Sequence, residues 1–66
     1  MFDSTMLIRG EYFRDSYLLR LEFHAGGVYE YRLVPPSIFE SLKEADSPGT
    51  YFREHIADRF PCARIR

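Results

Sequence analysis

Three early segments of the chain alternate apolar and charged residues with a period of two. The apolar residues of each segment share one parity, and they are Met6, Ile8 and Tyr12, then Leu19, Leu21 and Phe23, then Tyr29, Tyr31 and Leu33. The other parity carries the charges, which are Arg9, Glu11, Arg20, Glu22, Glu30 and Arg32. Alternation of this kind is typical of half-buried strands. The pattern therefore predicts three strands, each with one apolar face and one ionic face.

Short connections predict that these strands pair as two consecutive hairpins. Residues 14–17 supply a four-residue connection, and Gly26 favours a type I turn over residues 24–26 followed by a bulge. Like parities must share a face, because a slip of one residue would expose the whole apolar set. The expected cross-strand pairs are Glu11 with Arg20, Arg9 with Glu22, Arg20 with Glu30, Leu21 with Tyr29, and Leu19 with Tyr31.

Beyond the third strand the period changes to that of a helix. Pro35 and Pro36 end the strand and suit a helix start, since the first helical turn does not need the proline N–H. The apolar residues that follow at helical spacing are Ile38, Phe39, Leu42 and Ala45. Ser47 predicts the N-cap of a second helix, with Pro48 at its first position. That helix ends before Pro61, and its apolar and aromatic series is Tyr51, Phe52, His55, Ile56 and Phe60.

Two helices of this kind can cover the apolar face of the sheet. We therefore expect one α+β domain over residues 1–66, in which a three-stranded antiparallel β-meander carries two C-terminal helices on one face, in the order β-β-β-α-α. A chain of 66 residues rarely holds two cores, which excludes a multi-domain enzyme. Eleven aromatic residues supply the bulky side chains that so small a core needs.

Charge and cysteine content narrow the functional classes. The formal net charge is −1, which argues against nucleic-acid binding driven mainly by overall cationic attraction. Cys62 is the only cysteine of the sequence, so it cannot form an internal disulfide. No apolar run approaches the roughly 20 residues of a membrane span, and the start of the chain lacks a signal-peptide pattern. We therefore expect a cytoplasmic protein without a membrane partner.

The sequence contains no residue pattern that indicates an enzyme, a metal site or a cofactor. His24, His55 and Cys62 lack the spacing of zinc ligands, and nothing in the sequence orients them as nucleophile and base. Ser47 is better explained as a helix cap than as a nucleophile. Gly49, early in the second helix, indicates close packing against the sheet or, alternatively, room for a ligand or phosphate to approach the helix amides.

A longer combination of residues shows a family resemblance. Residues 28–35 read Val-Tyr-Glu-Tyr-Arg-Leu-Val-Pro, and they are followed by Phe39, Leu42, Ala45, Ser47, Gly49, Phe52 and Ile56. This combination resembles the KTSC domain, a small domain named for its occurrence at the C-terminus of some lysyl-tRNA synthetases and found also as a free-standing bacterial protein. The resemblance implies a domain without catalytic residues, and the synthetase association suggests RNA binding. The motif residues expected in or beside the core are Tyr29, Tyr31, Val34, Pro35, Ser47, Gly49 and Phe52.

Tyr29 and Tyr31 share one side of their strand, and that side has two interpretations. The rings can enter the core beneath the helices, or they can form an open platform on which unpaired bases stack. We favour the core, because the opposite arrangement would bury charges such as Arg20 and Glu30 underneath the helices.

Two functions remain, and they use different surfaces. The first, favoured by the resemblance, is RNA binding through arginines that contact phosphates and an aromatic ring that stacks on a base, and its candidates are Arg53, Arg59, Arg64, Arg66 and Tyr51. A solvated helix face and a frayed tail would account for the same arginines without a function. The second is a protein-interaction domain or homodimer that uses a sheet edge or an apolar patch on the outer face, and the patch residues are Leu7, Phe13, Leu18 and Val28.

Overall fold

An antiparallel sheet and two helices make up the part of the chain that the computed structural model describes, residues 5–66. The strands are β1 (Leu7–Phe13), β2 (Leu18–Phe23), β3 (Val28–Tyr31) and β4 (Cys62–Arg64), and the helices are α1 (Pro36–Glu44) and α2 (Pro48–His55). The strand order in the sheet is β1-β2-β3-β4. The α+β class is confirmed, while residues 1–4 of the expected domain 1–66 lie outside the described range.

Both predicted hairpins pair in the expected register. Glu11 lies opposite Arg20, and Arg9 lies opposite Glu22. The expected pairs between β2 and β3 are also present, and they are Arg20 with Glu30, Leu21 with Tyr29, and Leu19 with Tyr31. Gly26 has a φ of 108°, as the predicted turn requires. Because side chains alternate strictly along a strand, each correct pair fixes the face of its neighbours in the ladder.

An irregularity near the start of β1 changes which residues face the core. Leu7 pairs with Phe23 and Arg9 pairs with Glu22, so β1 holds one extra residue, Ile8, at a β-bulge. The bulge shifts the alternation on its N-terminal side. Leu7 is therefore fully buried, and its expected position on the outer face is wrong.

The strand β3 ends earlier than the alternation predicts. Leu33 has a φ of 64°, in the left-handed region, and is 69% exposed. Val34 is fully buried instead, and its N–H donates to the carbonyl of Tyr17 at 2.9 Å. A single left-handed residue breaks the period of two, so Leu33 leaves the predicted apolar face and Val34 enters the core.

Both helices begin where the sequence predicts. The first, α1, begins at Pro36 after an extended Pro35. Ser47 caps α2, because its hydroxyl accepts the N–H of Thr50 at 3.4 Å, and Pro48 occupies the first position. These residues therefore have the structural roles that proline and an N-cap serine commonly have.

The helix α2 is shorter than expected, ending at His55 rather than continuing to Phe60. The N–H of Ala57 donates to the carbonyl of Phe52 at 2.9 Å, and Asp58 has a left-handed φ of 62°. The chain therefore leaves the helix in a closed turn and proceeds toward the sheet edge.

Neither helix in the described part of the chain has the length and apolarity to cross a membrane.

A short fourth strand corrects the predicted three-stranded sheet. The strand β4 is antiparallel to β3 and places Cys62 opposite Tyr31 and Arg64 opposite Tyr29. Main-chain hydrogen bonds continue the pairing beyond the strand ends, from the N–H of Arg32 to the carbonyl of Pro61 and from the N–H of Ile65 to the carbonyl of Val28, both 2.8 Å. The expectation of a frayed tail is therefore wrong. Every residue of β4 is exposed, so no hydrophobic alternation marks it in the sequence.

The core lies between the apolar face of the sheet and the two helices. Its buried members are Leu7, Leu19, Leu21, Tyr31, Val34, Leu42, Phe52 and Ile56. Tyr31 is 6% exposed, and Tyr29 packs against the same cluster, so the interpretation of both rings as core residues is confirmed. The Phe52 ring lies 5.2 Å from Phe23 and 5.7 Å from Tyr31, measured between centroids. The alternative of an open stacking platform is therefore wrong.

Candidate functional site

The charges of the outer sheet face are paired with one another. Arg20 Nη2 lies 2.7 Å from Glu30 Oε2, and Arg20 Nη1 lies 3.5 Å from Glu11 Oε1. Arg9 Nε lies 3.2 Å from Glu22 Oε1. Opposite charges across a strand ladder favour the observed register over its alternatives. The arginines of this face are therefore already engaged by carboxylates.

Five of the seven remaining basic residues have no carboxylate partner among residues 5–66. Arg14 and Lys43 both reach Glu40, at 3.4 and 3.3 Å. The basic residues that lack an Asp or Glu side chain of residues 5–66 within ion-pairing distance are Arg32, Arg53, Arg59, Arg64 and Arg66. All four arginines that the sequence singles out belong to this group.

These free arginines concentrate in one stretch of the chain, residues 53–66, which we call the arginine segment. Arg53 lies on α2, Arg59 lies in the following turn, Arg64 lies in β4, and Arg66 is the last residue of the sequence. Arg32 borders the segment through its main-chain hydrogen bond to the carbonyl of residue 61. The segment also contains Glu54 and Asp58, so its four arginines leave a formal charge of +2 (four minus two) in a protein whose formal net charge is −1.

Within the arginine segment the side chains form two separate groups. Arg64 lies with its guanidinium 5.8 Å from the Tyr29 ring centroid, and its Nε donates to the main-chain oxygen of Arg66 at 2.9 Å. Arg53 instead donates to the Thr50 hydroxyl at 3.4 Å. No hydrogen bond, ion pair or ring contact within the described chain joins Arg53 to the Arg64 group. The predicted candidates therefore share a segment but do not form one contacting cluster.

Tyr51, the predicted stacking aromatic, is half-buried on α2. Its ring packs against the core and lies 4.5 Å from the His55 ring, with a tilt of 32° between the planes. A ring that already contacts a neighbouring imidazole has less free surface than an isolated one. Arg53 is two residues further along the same helix, and residues at that spacing do not face each other, so the remaining surface of Tyr51 and the Arg53 guanidinium lie on different sides of α2.

A cavity of about 340 Å³ opens at the start of α2, and its lining is Thr5, Met6, Asp46, Ser47, Pro48, Gly49, Thr50 and Arg53. The motif residues Ser47 and Gly49 both belong to this lining. Ser47 donates to the Thr50 hydroxyl at 2.9 Å, and Gly49 is buried. Sequence reasoning did not single out Thr50, although the three-residue spacing of Ser47, Thr50 and Arg53 places them on one helix face.

The apolar patch on the outer face is smaller in the structure than the sequence predicts. Val28 is buried, and its main chain is bonded to residues 65 and 66, so its expected exposure is wrong, as it is for Leu7. Phe13 remains exposed beneath the Arg20 guanidinium, 5.0 Å from the ring centroid. Leu18 lies opposite Phe13 and is half-buried. An interface formed by these two remaining residues stays a prediction.

The tyrosine hydroxyl beneath β4 has a perturbed acidity. Burial raises the pKa of Tyr31 far above its usual range, and a hydrogen bond with the Cys62 thiol raises it further.

No group of three His, Cys, Asp or Glu side chains within residues 5–66 could hold a metal ion. The functional features of the described structure are therefore a charged segment and a cavity rather than an assembled cluster of reactive groups.

These features define a class of protein, a small α+β domain with two helices on one sheet face and a charged C-terminal segment. The model of the KTSC domain family matches residues 3–60. The chain belongs to the KTSC domain family, as the sequence motif predicts.

Relatives and solved structures agree with this assignment. A lysine–tRNA ligase from Nostoc punctiforme is 36% identical over 58 residues, which cover 88% of this chain and 10% of the ligase. A lysine–tRNA ligase from Trichormus variabilis is 45% identical over 42 residues, covering 64% of this chain and 8% of the ligase. The crystal structure of a KTSC domain protein from Yersinia pestis matches with a TM-score of 0.96 at 28% identity, covering 98% of this chain and 92% of that one. The chain thus spans about a tenth of these ligases and nearly all of the Yersinia protein.

Proposed function

We propose that this domain is a small, non-catalytic, cytoplasmic binding module that contacts the phosphate backbone of RNA through the arginine segment. One observation carries the proposal, the division of the basic residues into paired and free groups. Arg9, Arg14 and Arg20 are held by carboxylates, whereas the arginines of the segment are not. A free guanidinium can donate two parallel hydrogen bonds to a phosphate without first breaking an internal ion pair.

The relatives favour RNA over other polyanions. The two similar ligases carry names that refer to tRNA. A domain linked to a protein that handles RNA acts at a high effective concentration, so that even weak contacts contribute to retention. We infer that phosphate contacts of this kind are also the function of the present chain.

Different residues of the segment make different contacts with the RNA. Arg64 and Arg66 contact phosphates at the β4 edge of the sheet, Arg59 adds a contact from the turn after α2, and Arg53 adds one from α2. Tyr51 stacks on an unpaired base at a different side of α2 from Arg53, which adds affinity without selecting a particular sequence. Because phosphate contacts carry no sequence information directly, we expect weak sequence preference and strong dependence on salt.

The test is a fluorescence-anisotropy titration of the protein against a labelled single-stranded oligouridine and against total tRNA, each at about 50 mM and about 200 mM salt. The wild type is expected to bind both probes and to lose affinity as salt rises. The triple variant Arg59→Gln, Arg64→Gln, Arg66→Gln should bind at least about tenfold more weakly. Its logarithmic salt slope should be smaller by about 2, since each lost contact to single-stranded RNA removes about 0.7.

A matched control variant removes three positive charges outside the arginine segment. The triple variant Arg9→Gln, Arg14→Gln, Lys43→Gln alters exposed ion pairs that contribute little to stability, and it should retain wild-type affinity. An equal loss in both triple variants would show that only net charge matters. Absence of salt-dependent binding by the wild type to either probe would overturn the proposal.

The second function that the sequence leaves open is a protein-interaction or self-associating role for the outer face or a sheet edge. Two of its four expected residues, Leu7 and Val28, are buried, and the charges of that face are paired. The central part of the face therefore has less exposed apolar surface and fewer unpaired charges for a partner to contact than the sequence suggests.

A further inference from the structure

Several large apolar side chains are exposed at one end of the sheet. Leu33 is the most exposed large apolar residue of the described chain, and Tyr17 follows it at 52%. Phe13, at 37%, ends β1 at the start of the same loop. Contiguous exposed apolar groups on a small protein commonly mark an interaction site.

Main-chain contacts bring these residues together. The N–H of Val34 donates to the carbonyl of Tyr17 at 2.9 Å, so that Leu33 and Tyr17 are neighbours across the two loops. Within the hairpin, Phe13 lies opposite Leu18, next to Tyr17 in the chain. We call this set the loop patch, and its residues are Phe13, Tyr17, Leu18 and Leu33.

The backbone holds two members of the loop patch outward in an unfavourable conformation. Tyr17 has a φ of 54° and Leu33 has a φ of 64°. Left-handed conformations are costly for residues with a β-carbon, and a leucine has no side-chain hydrogen bond that would compensate. Val34 fixes the geometry, because it is fully buried and its carbonyl accepts the Tyr12 hydroxyl at 2.5 Å. The packing of Val34 therefore explains the backbone of Leu33, but it does not require a large apolar side chain at that exposed position, where asparagine or glycine would fit the backbone better.

One acidic and one basic residue adjoin members of the loop patch in the sequence. Asp15 lies between Phe13 and Tyr17 in the sequence, and Arg32 directly precedes Leu33. Neither forms an ion pair with a residue of the described chain, although the nearby Arg14 does, with Glu40. A surface with an apolar centre and one free charge of each sign can meet an identical surface about a twofold axis, with each acid opposite the other chain's base.

We propose that two copies of this chain associate through the loop patch, with Asp15 of each copy facing Arg32 of the other. The proposal does not depend on RNA binding, since it uses none of the residues in the arginine segment. Four apolar residues a side are fewer than the roughly 20–30 of a stable interface, so the dimer is weak and transient. We expect a dissociation constant between about 10 µM and about 1 mM.

Sedimentation velocity and NMR diffusion over that concentration range give the first test. The wild type should shift toward dimer as its concentration rises. Leu33→Asn, which keeps a residue that tolerates the left-handed conformation but removes the apolar side chain, should weaken association at least about tenfold. Tyr17→Asn serves as a second variant, and circular dichroism confirms that both are folded. Ile65→Asn is the control, because Ile65 is exposed to a similar extent as Phe13 but follows β4, and it should associate like the wild type.

Charge reversal gives the second test and identifies the partner. Asp15→Arg and Arg32→Asp should each lose self-association, because each homodimer then places like charges together. An equimolar mixture of the two variants should associate again, because both contacts of the mixed dimer pair an arginine with an aspartate. A wild type that stays monomeric to about 1 mM, or single variants that dimerise as well as the wild type, would overturn the proposal. Those results would assign the loop patch to a different protein partner or to none.

Discussion

Tyr31 shows how this small core accommodates a polar group. Its ring lies within the apolar cluster, while its hydroxyl reaches the rim of the core and bonds with the thiol of Cys62 on β4. Tyr12 uses the same arrangement, with its hydroxyl bonded to the carbonyl of Val34. Buried polar groups are tolerated when they are hydrogen-bonded. The lone cysteine therefore has a structural contact.

The raised pKa of Tyr31 predicts a loss of stability at alkaline pH. Below its ordinary pKa of about 10, the tyrosine is protonated in both the folded and the unfolded chain. Above that value the unfolded chain releases the proton while the folded chain retains it, so the free energy of unfolding falls by up to about 1.4 kcal/mol per pH unit. Chemical unfolding of wild type and Tyr31→Phe from about pH 8 to about pH 11 measures this. The variant should show the shallower decline, and parallel curves would contradict the assignment.

At the scale of elements, the length of α2 is set by the residues at its two ends. Ser47 and Pro48 begin it, and the left-handed Asp58 follows its closing turn. Between them Phe52 and Ile56 pack into the core. A helix of eight residues is too short to be stable alone, so capping and packing must hold it.

Removing the Ser47 hydroxyl should lower the free energy of unfolding by about 1 kcal/mol, because Ser47→Ala leaves the Thr50 N–H without its acceptor. Urea unfolding is expected to show a lower midpoint with an unchanged slope, which indicates a change in stability without a change in compactness. Ser37→Ala is the matched control, since Ser37 is exposed in the first turn of α1. Equal destabilisation by both variants would contradict a specific capping role.

At the scale of the whole molecule, β4 covers an edge that a three-stranded sheet would leave open. It makes β3 an interior strand and places Cys62 opposite Tyr31, and the residues after it bond to the main chain of Val28. It also positions Arg64 and Arg66 along the new edge. Short edge strands flanked by proline and charged residues resist pairing with other chains, and Pro61 and the arginines have these properties here.

Truncation after Phe60 should leave a folded domain, because every residue of the lost stretch is exposed. The free energy of unfolding should fall by at least about 2 kcal/mol, since four main-chain hydrogen bonds of Val28 and Arg32 to residues 61–66 are lost at roughly 0.5–1.5 kcal/mol each. Hydrogen exchange followed by NMR is expected to show that the amides of Val28 and Arg32 lose protection, since their acceptors are in residues 61–66. The amide of Val34, bonded to Tyr17, is the internal control and should stay protected. Unchanged protection at Val28 and Arg32 would contradict the fourth strand.

The candidate site was predictable only in part. The sequence identifies the arginines of the C-terminal stretch because their identity and clustering are visible without coordinates. It does not show that Arg20 pairs with a carboxylate side chain while Arg64 lies over the Tyr29 ring, because these contacts depend on which strands become neighbours. The loop patch was equally hidden, since Leu33 has the parity of a core residue and only its left-handed backbone exposes it.

The sequence by itself determined the two hairpins, their register and the starts of both helices. Those features follow from alternation, turn residues and caps, which act between residues close together in the chain. Only the tertiary structure decided the burial of Leu7, the exposure of Leu33 and the existence of β4. A bulge, a left-handed residue and an exposed edge strand each depend on contacts with distant segments, and such contacts leave no periodic pattern in the sequence.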